Sequence, residues 1–213
     1  MRLGDLERTL GRRFARVVTN AVVAQPRLWS LFRRPLRAQF DRMAPVWDGM
    51  RRPDSLAPLE RALDSLPGAP RHVLDLGTGT GAAAFVIASR FPEADIVGVD
   101  LAEEMLSQAE ENTPPELASR VRFQPADAAR LPFEDGSFEL VSLANMIPFF
   151  DELARVSAPG AWIVLSFSAG PETPIWVPPE RLQRELGERG FGEFADFQAG
   201  LGTALLARKG EPV

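Results

Sequence analysis

Much of the usual equipment of enzyme chemistry is scarce or missing in these 213 residues. There is no cysteine, which removes disulfides, thiolate nucleophiles and cysteine-ligated zinc. There is no tyrosine, so no phenol is at hand as acid or base. The single histidine, His72, leaves no multi-histidine metal site, and no metal is expected. No apolar run reaches the roughly 18 residues that a membrane-spanning helix needs. The N-terminus lacks the apolar stretch of a secretory signal. It is arginine-rich, but it holds Asp5 and Glu7 and little serine, so a cytoplasmic protein is expected rather than an imported one.

Charge is divided unevenly. Residues 1–52 carry 12 arginines against Asp5, Glu7, Asp41 and Asp48, a net of +8. Residues 53–213 carry a net of −13, which leaves −5 overall. The acidic body excludes nucleic acid as a main partner, because phosphate contacts need a basic footprint. The basic arm is expected to dock on that body; contact with an anionic membrane surface is the weaker alternative. Two regions follow: an N-terminal helical arm or lid over 1–52, and a body over 53–213.

Periodicity places the elements. Leu3, Leu6, Leu10, Phe14, Val17 and Ala21 recur at helical steps, a stripe suited to core or homodimer packing. Pro26 interrupts it. A short apolar segment, Leu28–Phe32, ends at Arg33-Arg34-Pro35, and a helix over Leu36–Met50 is expected to kink or split at Pro45. A helix over Leu56–Leu66 stops at Pro67-Gly68. From His72 onward strands and helices alternate. Strands are predicted at His72–Leu76, Asp95–Val99, Arg120–Gln124, Phe138–Leu143 and Ala161–Phe167, the last preceded by a Pro159-Gly160 turn. Helices are predicted from Ala82 to Arg90, Ala102 to Asn112, Phe149 to Val156 and Pro179 to Arg189. Strands at Glu193–Gln198 and Thr203–Ala207 close the chain as a hairpin. The pattern is that of an α/β protein with a parallel sheet covered on both faces.

The chemistry concentrates in Val73-Leu74-Asp75-Leu76-Gly77-Thr78-Gly79-Thr80-Gly81. A buried strand runs into an acidic residue and then into glycines at alternate positions, where backbone can approach a ligand closely. The helix from Ala82 directs its N–H groups to the same spot. Asp100 closes the second strand and Asp127 follows the third. Ligands of open α/β sheets collect at these carboxyl ends. A carboxylate after strand 2 suits a ribose diol, and one after strand 3 suits an exocyclic adenine amine.

Gly77-x-Gly79-x-x-Ala82 also satisfies the looser dinucleotide fingerprint. Two features speak against a nicotinamide dinucleotide. Asp75 beside the loop repels a pyrophosphate, and little chain follows strand 5. A phosphate-free adenosine with a positive centre fits better, and S-adenosylmethionine is such a ligand.

The sequence resembles class I S-adenosylmethionine-dependent methyltransferases, in particular the small-molecule group that includes ubiquinone and menaquinone biosynthesis enzymes. The resemblance rests on Val73 to Gly81, on Val99-Asp-Leu-Ala-Glu-Glu-Met-Leu106 and on Ala126-Asp-Ala-Ala-Arg-Leu-Pro-Phe-Glu-Asp-Gly-Ser-Phe138. Glu152-Leu-Ala-Arg-Val156 with Pro159-Gly160 adds to it. It implies a Rossmann-like, doubly wound, seven-stranded sheet of order 3-2-1-4-5-7-6 with strand 7 antiparallel, and an N-terminal helical extension. It also implies that Asp75 and Gly77, Thr78, Gly79 and Gly81 hold the methionine end and that Asp100 takes the ribose. Leu101 and Met105 would pack the adenine, and Asp127 with the Ala128 backbone would read its edge. Asn145 and Met146 would border the sulfonium. Phe40 to Asp48 resembles the helix that closes over the cofactor, with Trp47 where the family often carries tyrosine.

Methyl transfer from a sulfonium needs alignment and exclusion of water more than it needs a base. Asp48 and Asp151 are the only candidates for one, and no catalytic residue is assigned. His72 sits at the wrong end of the first strand. Asn145-Met146-Ile147-Pro148-Phe149 lacks the paired prolines of amino methyltransferases. Trp29, Phe32 and Trp176 are open to either core or pocket roles. The expected activity is methyl transfer to a small hydrophobic or anionic molecule, selected by the arm and by the loop Ser168–Val177. A non-catalytic cofactor-binding protein of the same fold is the alternative. Aminopropyl transfer is disfavoured, because Asn145-Met146-Ile147-Pro148 after strand 4 offers no acidic residue to hold a polyamine.

Overall fold

The computed structural model describes the backbone of residues 3–211 and the side chains of residues 11–211. Leu3, Leu6 and Leu10 of the predicted stripe have side chains outside that range. Seven strands form one sheet. They are β1 (His72–Leu76), β2 (Asp95–Asp100), β3 (Val121–Pro125), β4 (Phe138–Ala144), β5 (Ser157–Phe167), β6 (Phe191–Ala199) and β7 (Gly202–Lys209). The order is β3-β2-β1-β4-β5-β7-β6. β1 to β5 pair in parallel, and β7 runs antiparallel to both β5 and β6. This is the architecture that the alternating pattern and the family resemblance imply.

Side-chain alternation divides the core between the two faces. Leu74, Leu76, Val97, Val99, Val141 and Leu143 pack on one side, with α6 (Phe150–Val156) and α7 (Pro179–Gly187). Val73, Ile96, Leu140 and Val164 pack on the other, with α3 (Ala57–Asp64) and α4 (Ala82–Arg90). Each fully buried leucine contributes roughly 1.5–3 kcal/mol. α5 (Glu103–Glu111) follows β2.

The crossover from β3 to β4 contains turns and no helix. The face that such a helix would cover is covered instead by α1 (Leu3–Ala24), whose Val18, Val22 and Val23 join the cluster of Val97, Val99, Leu131 and Val141. The basic arm therefore docks on the body. Arg16 donates to the carbonyls of Pro171 and Thr173 at 2.7 and 2.8 Å, and Arg12 to that of Glu172. Phe14 and Val17, on the same predicted stripe, stay largely exposed.

Two proline readings are corrected. α2 (Trp29–Met50) is one helix through Pro35 and Pro45, where a break at Pro35 and a kink or split at Pro45 were expected; neither proline interrupts it. Both prolines are exposed, as is Leu31, one turn before the first. A carbonyl freed four residues earlier on that side reaches water, which lowers the cost of the missing N–H. Pro159-Gly160 does not precede β5 but lies within it. The register passes from Phe138–Ser157 to Leu140–Trp162, so the extra β5 residues bulge, with Gly160 at φ +74°.

Candidate functional site

The chain leaves β1 towards β2 and β3, then crosses back to β4. The switch point therefore lies between the carboxyl ends of β1 and β4, where a crevice opens in such sheets. The glycine loop sits there. The amides of Gly77 and Thr78 both donate to the carbonyl of Val99, at 2.8 and 3.0 Å, which ties the loop to the end of β2. Gly77, Gly79 and Gly81 adopt φ of +71°, +55° and +86°. At Gly77 a side chain is also sterically barred, because a Cβ would lie 2.7 Å from the Met146 sulfur. Met146 thus lies against this loop.

Asp100 joins the parts together. Its Oδ2 accepts the Gly79 amide at 2.9 Å, and its Oδ1 accepts the Ala102 amide at 2.9 Å, next to the start of α5. Each oxygen retains acceptor capacity, so a diol can be received without breaking either bond. Burial raises the Asp100 carboxyl above its ordinary range, with the amide bonds opposing that shift.

Asp75 lies below the loop at 1% exposure. Its Oδ2 accepts from Thr78 Oγ1 at 2.6 Å. Its Oδ1 and the Oγ of its register partner Ser142 are buried without hydrogen-bond partners among the described residues. Burial lifts this carboxyl to about 6, with the Thr78 bond opposing and the Asp100 charge adding to the rise. A charge so deep acts on the crevice through its field and through Thr78. An unpaired acceptor under the cradle suits a cationic group above it and disfavours a phosphate.

Asp127 stands apart from the loop. Its Oδ1 accepts from Trp29 Nε1 at 2.7 Å and from the Ala129 amide at 3.0 Å, while among the described residues Oδ2 has only Arg33 at 3.5 Å. Trp29 packs edge-on against Phe149, with ring centroids 5.3 Å apart. Trp29 is thus a polar partner as well as a core residue, which its sequence position did not disclose. Ala128 is buried and Leu101 half-buried. Met105 is buried under α2, with Ala44, Ala102, Phe40, Met43 and Trp47 around it. Asn145 takes φ +55° and caps the ends of β4 and β5: its Oδ1 accepts the Ser168 amide at 2.9 Å.

α2 closes over the loop at its C-terminal end. Trp47 Nε1 lies 3.6 Å from where a Gly79 Cβ would be. Beside it, Asp48 accepts from Thr80 Oγ1 at 2.7 Å and from Asn112 Nδ2 at 3.0 Å. Asp48, a candidate base from sequence, is engaged as a tie between α2, the loop and α5. Asp151, the other candidate, pairs with Arg189 at 2.7 Å. His72 is exposed at the amino end of β1, 3.9 Å from Glu139. Sequence reasoning missed the Asp48–Thr80–Asn112 set; the one local signal was the Trp47-Asp48 pair on the lid helix.

Comparison with known proteins agrees with this geometry. A family model described as a methyltransferase domain matches residues 73–160. A demethylmenaquinone methyltransferase of Deinococcus radiodurans is 36% identical over 183 residues, covering 80% of this chain and 75% of that protein. One from Thermus thermophilus is 41% identical over 121 residues, 53% of this chain and 54% of that protein, so the match spans about half of that relative. Among solved structures, phosphoethanolamine N-methyltransferase 2 of Haemonchus contortus, in complex with S-adenosylmethionine, has the same fold. Its TM-score is 0.61 at 19% identity, over 74% of this chain and 52% of that one. Loop, switch point, carboxylates and relatives converge: the chain belongs to the family of S-adenosylmethionine-dependent methyltransferases.

Proposed function

We propose that this protein transfers the methyl group of S-adenosylmethionine to a small hydrophobic or anionic molecule by in-line displacement. The observation that carries the reading is the Asp100 carboxylate. It is held by one amide from the glycine loop and one beside α5, at the switch point, with acceptor capacity to spare. When bound, the cofactor supplies a methyl group already activated by its sulfonium.

The remaining work falls to the protein. Asp100 receives the ribose hydroxyls, and the backbone of Gly77 to Gly81 lines the methionine end. The buried Asp75 charge favours the cationic pole. Asp127 receives the adenine amine, and Ala128 and Leu101 flank the ring. Met146 and Trp47, which press on Gly77 and Gly79, exclude water from the reacting centre. Residues 1–52 act as arm and lid. Asp48 and Asp151 are both engaged in ties, so the reading assigns them no proton transfer; the acceptor enters with its lone pair available.

Acceptor choice is assigned to the arm and the loop after β5, which Arg12 and Arg16 bind together. That relatives are named for demethylmenaquinone fits the hydrophobic side of the reading. The test is methyl transfer from labelled cofactor across a panel of small aromatic acceptors. Label is expected in at least one acceptor with the native chain and, at sub-saturating cofactor, about a hundredfold less with Asp100→Ala. The non-catalytic alternative predicts cofactor binding with no label transferred to any acceptor.

A further inference from the structure

A cavity of about 490 Å³ lies apart from the glycine loop, between the start of α2, the loop after β3, and helices α6 and α7. Its size falls in the range of small-molecule sites, about 300–1,000 Å³. Trp29, Phe149 and Phe150 give it an apolar wall. The arginines around it give it a sign.

Most of the carboxylate oxygens at this cavity are engaged within the chain, Asp127 through its Oδ1. Glu152 accepts from Arg155 and from the Leu131 amide; Asp151 and Glu185 pair with Arg189; Asp127 takes the Trp29 indole. Of the arginines, some are unpaired and some only loosely paired among the described residues. Arg27 and Arg130 have no carboxylate within ion-pair distance among the described residues. Arg33 reaches Asp127 only at 3.5 Å. Arg181 is 3.8 Å from Glu185, and its Nε is buried without a hydrogen-bond acceptor. That Nε faces Glu185 Oε1, so the part of Arg181 a ligand in the cavity would meet is the rest of its guanidinium. Arginine forks match a planar carboxylate in particular, and the aromatic wall matches a flat ring beside it.

We propose that this cavity is a binding site for an aromatic carboxylate, held by Arg130 and Arg181 at its anionic end and by Trp29 and Phe149 along its ring. Arg27 and Arg33 add attraction at the rim.

Titration calorimetry on the full chain tests this with 2-naphthoate as probe and 2-naphthalenemethanol as its neutral match. The carboxylate is expected to bind about tenfold more tightly than the alcohol, and Arg130→Gln and Arg181→Gln are each expected to weaken it by about tenfold. Arg130 is exposed, so its variant keeps the fold; Arg90→Gln, remote from the cavity, is expected to bind as the native chain does. Equal affinity for the two probes, or equal losses in the cavity variants and in Arg90→Gln, overturns the proposal. S-adenosylmethionine titrated into the same samples reports on the methyltransferase reading separately, since that reading can fail while naphthoate still binds.

Discussion

Thr80 Oγ1 donates to Asp48 Oδ1 at 2.7 Å, across 32 residues of sequence, and so fastens the last turn of α2 to the glycine loop. Asn112 Nδ2 reaches the other oxygen of the same carboxylate at 3.0 Å. Asp48 is partly exposed, so the tie is worth a modest amount. Asp48→Ala and Thr80→Val are each expected to lower stability by about 1 kcal/mol, and the double variant by less than their sum. Urea unfolding of the four chains checks this. Strict additivity would mean that the two groups do not share an interaction.

Asp75 gives a pH signature. Its carboxyl holds a proton in the fold up to about 6, against an ordinary value of 3.8. Between those values the folded chain binds more protons than the unfolded one, so this group's contribution falls as pH rises and then levels off. The stability of the native chain relative to Asp75→Asn is expected to drop between pH 4 and 7, on the order of 2–3 kcal/mol at about 1.4 kcal/mol per pH unit. Denaturant unfolding of both chains across that range measures it. A constant difference would place Asp75 outside the buried environment described here.

Gly98 in β2 is a purely steric case. A Cβ there would lie 2.5 Å from the Phe123 ring and 2.8 Å from Thr78 Oγ1. Gly98→Ala is expected to destabilise by about 1–3 kcal/mol through overpacking. Adding Phe123→Leu makes room, so the double variant is expected to recover part of that loss relative to Phe123→Leu alone. Thermal unfolding decides: no recovery would put the strain at Thr78, and so on the loop that Thr78 supports.

The sequence carried the sheet because its information is local. Val73, Leu74 and Leu76 form a short apolar run that ends at glycine, and a second such run, Ile96 to Val99, ends at Asp100. The carboxylates at strand ends were legible for the same reason, since strand boundaries fix where Asp75 and Asp100 stand. What was not legible depends on long-range packing. Pro35 and Pro45 read as breaks until their exposure shows where the freed carbonyls go. The bond between Trp29 and Asp127 joins residues 98 positions apart, and nothing near either predicts it. Nor does the sequence say that α1 takes the place of a missing crossover helix; only the absence of a helical period between Asp127 and Gly136 hints at an open face. Arg181 reads as an ordinary surface residue of an amphipathic helix until it is seen lining a cavity.

Titration of S-adenosylmethionine into the native chain and into Asp100→Ala by calorimetry bears most directly on the central claim. The native chain is expected to bind, and the variant to bind about a hundredfold more weakly, the loss of two charge-assisted hydrogen bonds. No binding by the native chain, or equal binding by both, would contradict the assignment of this crevice to the adenosine of the cofactor.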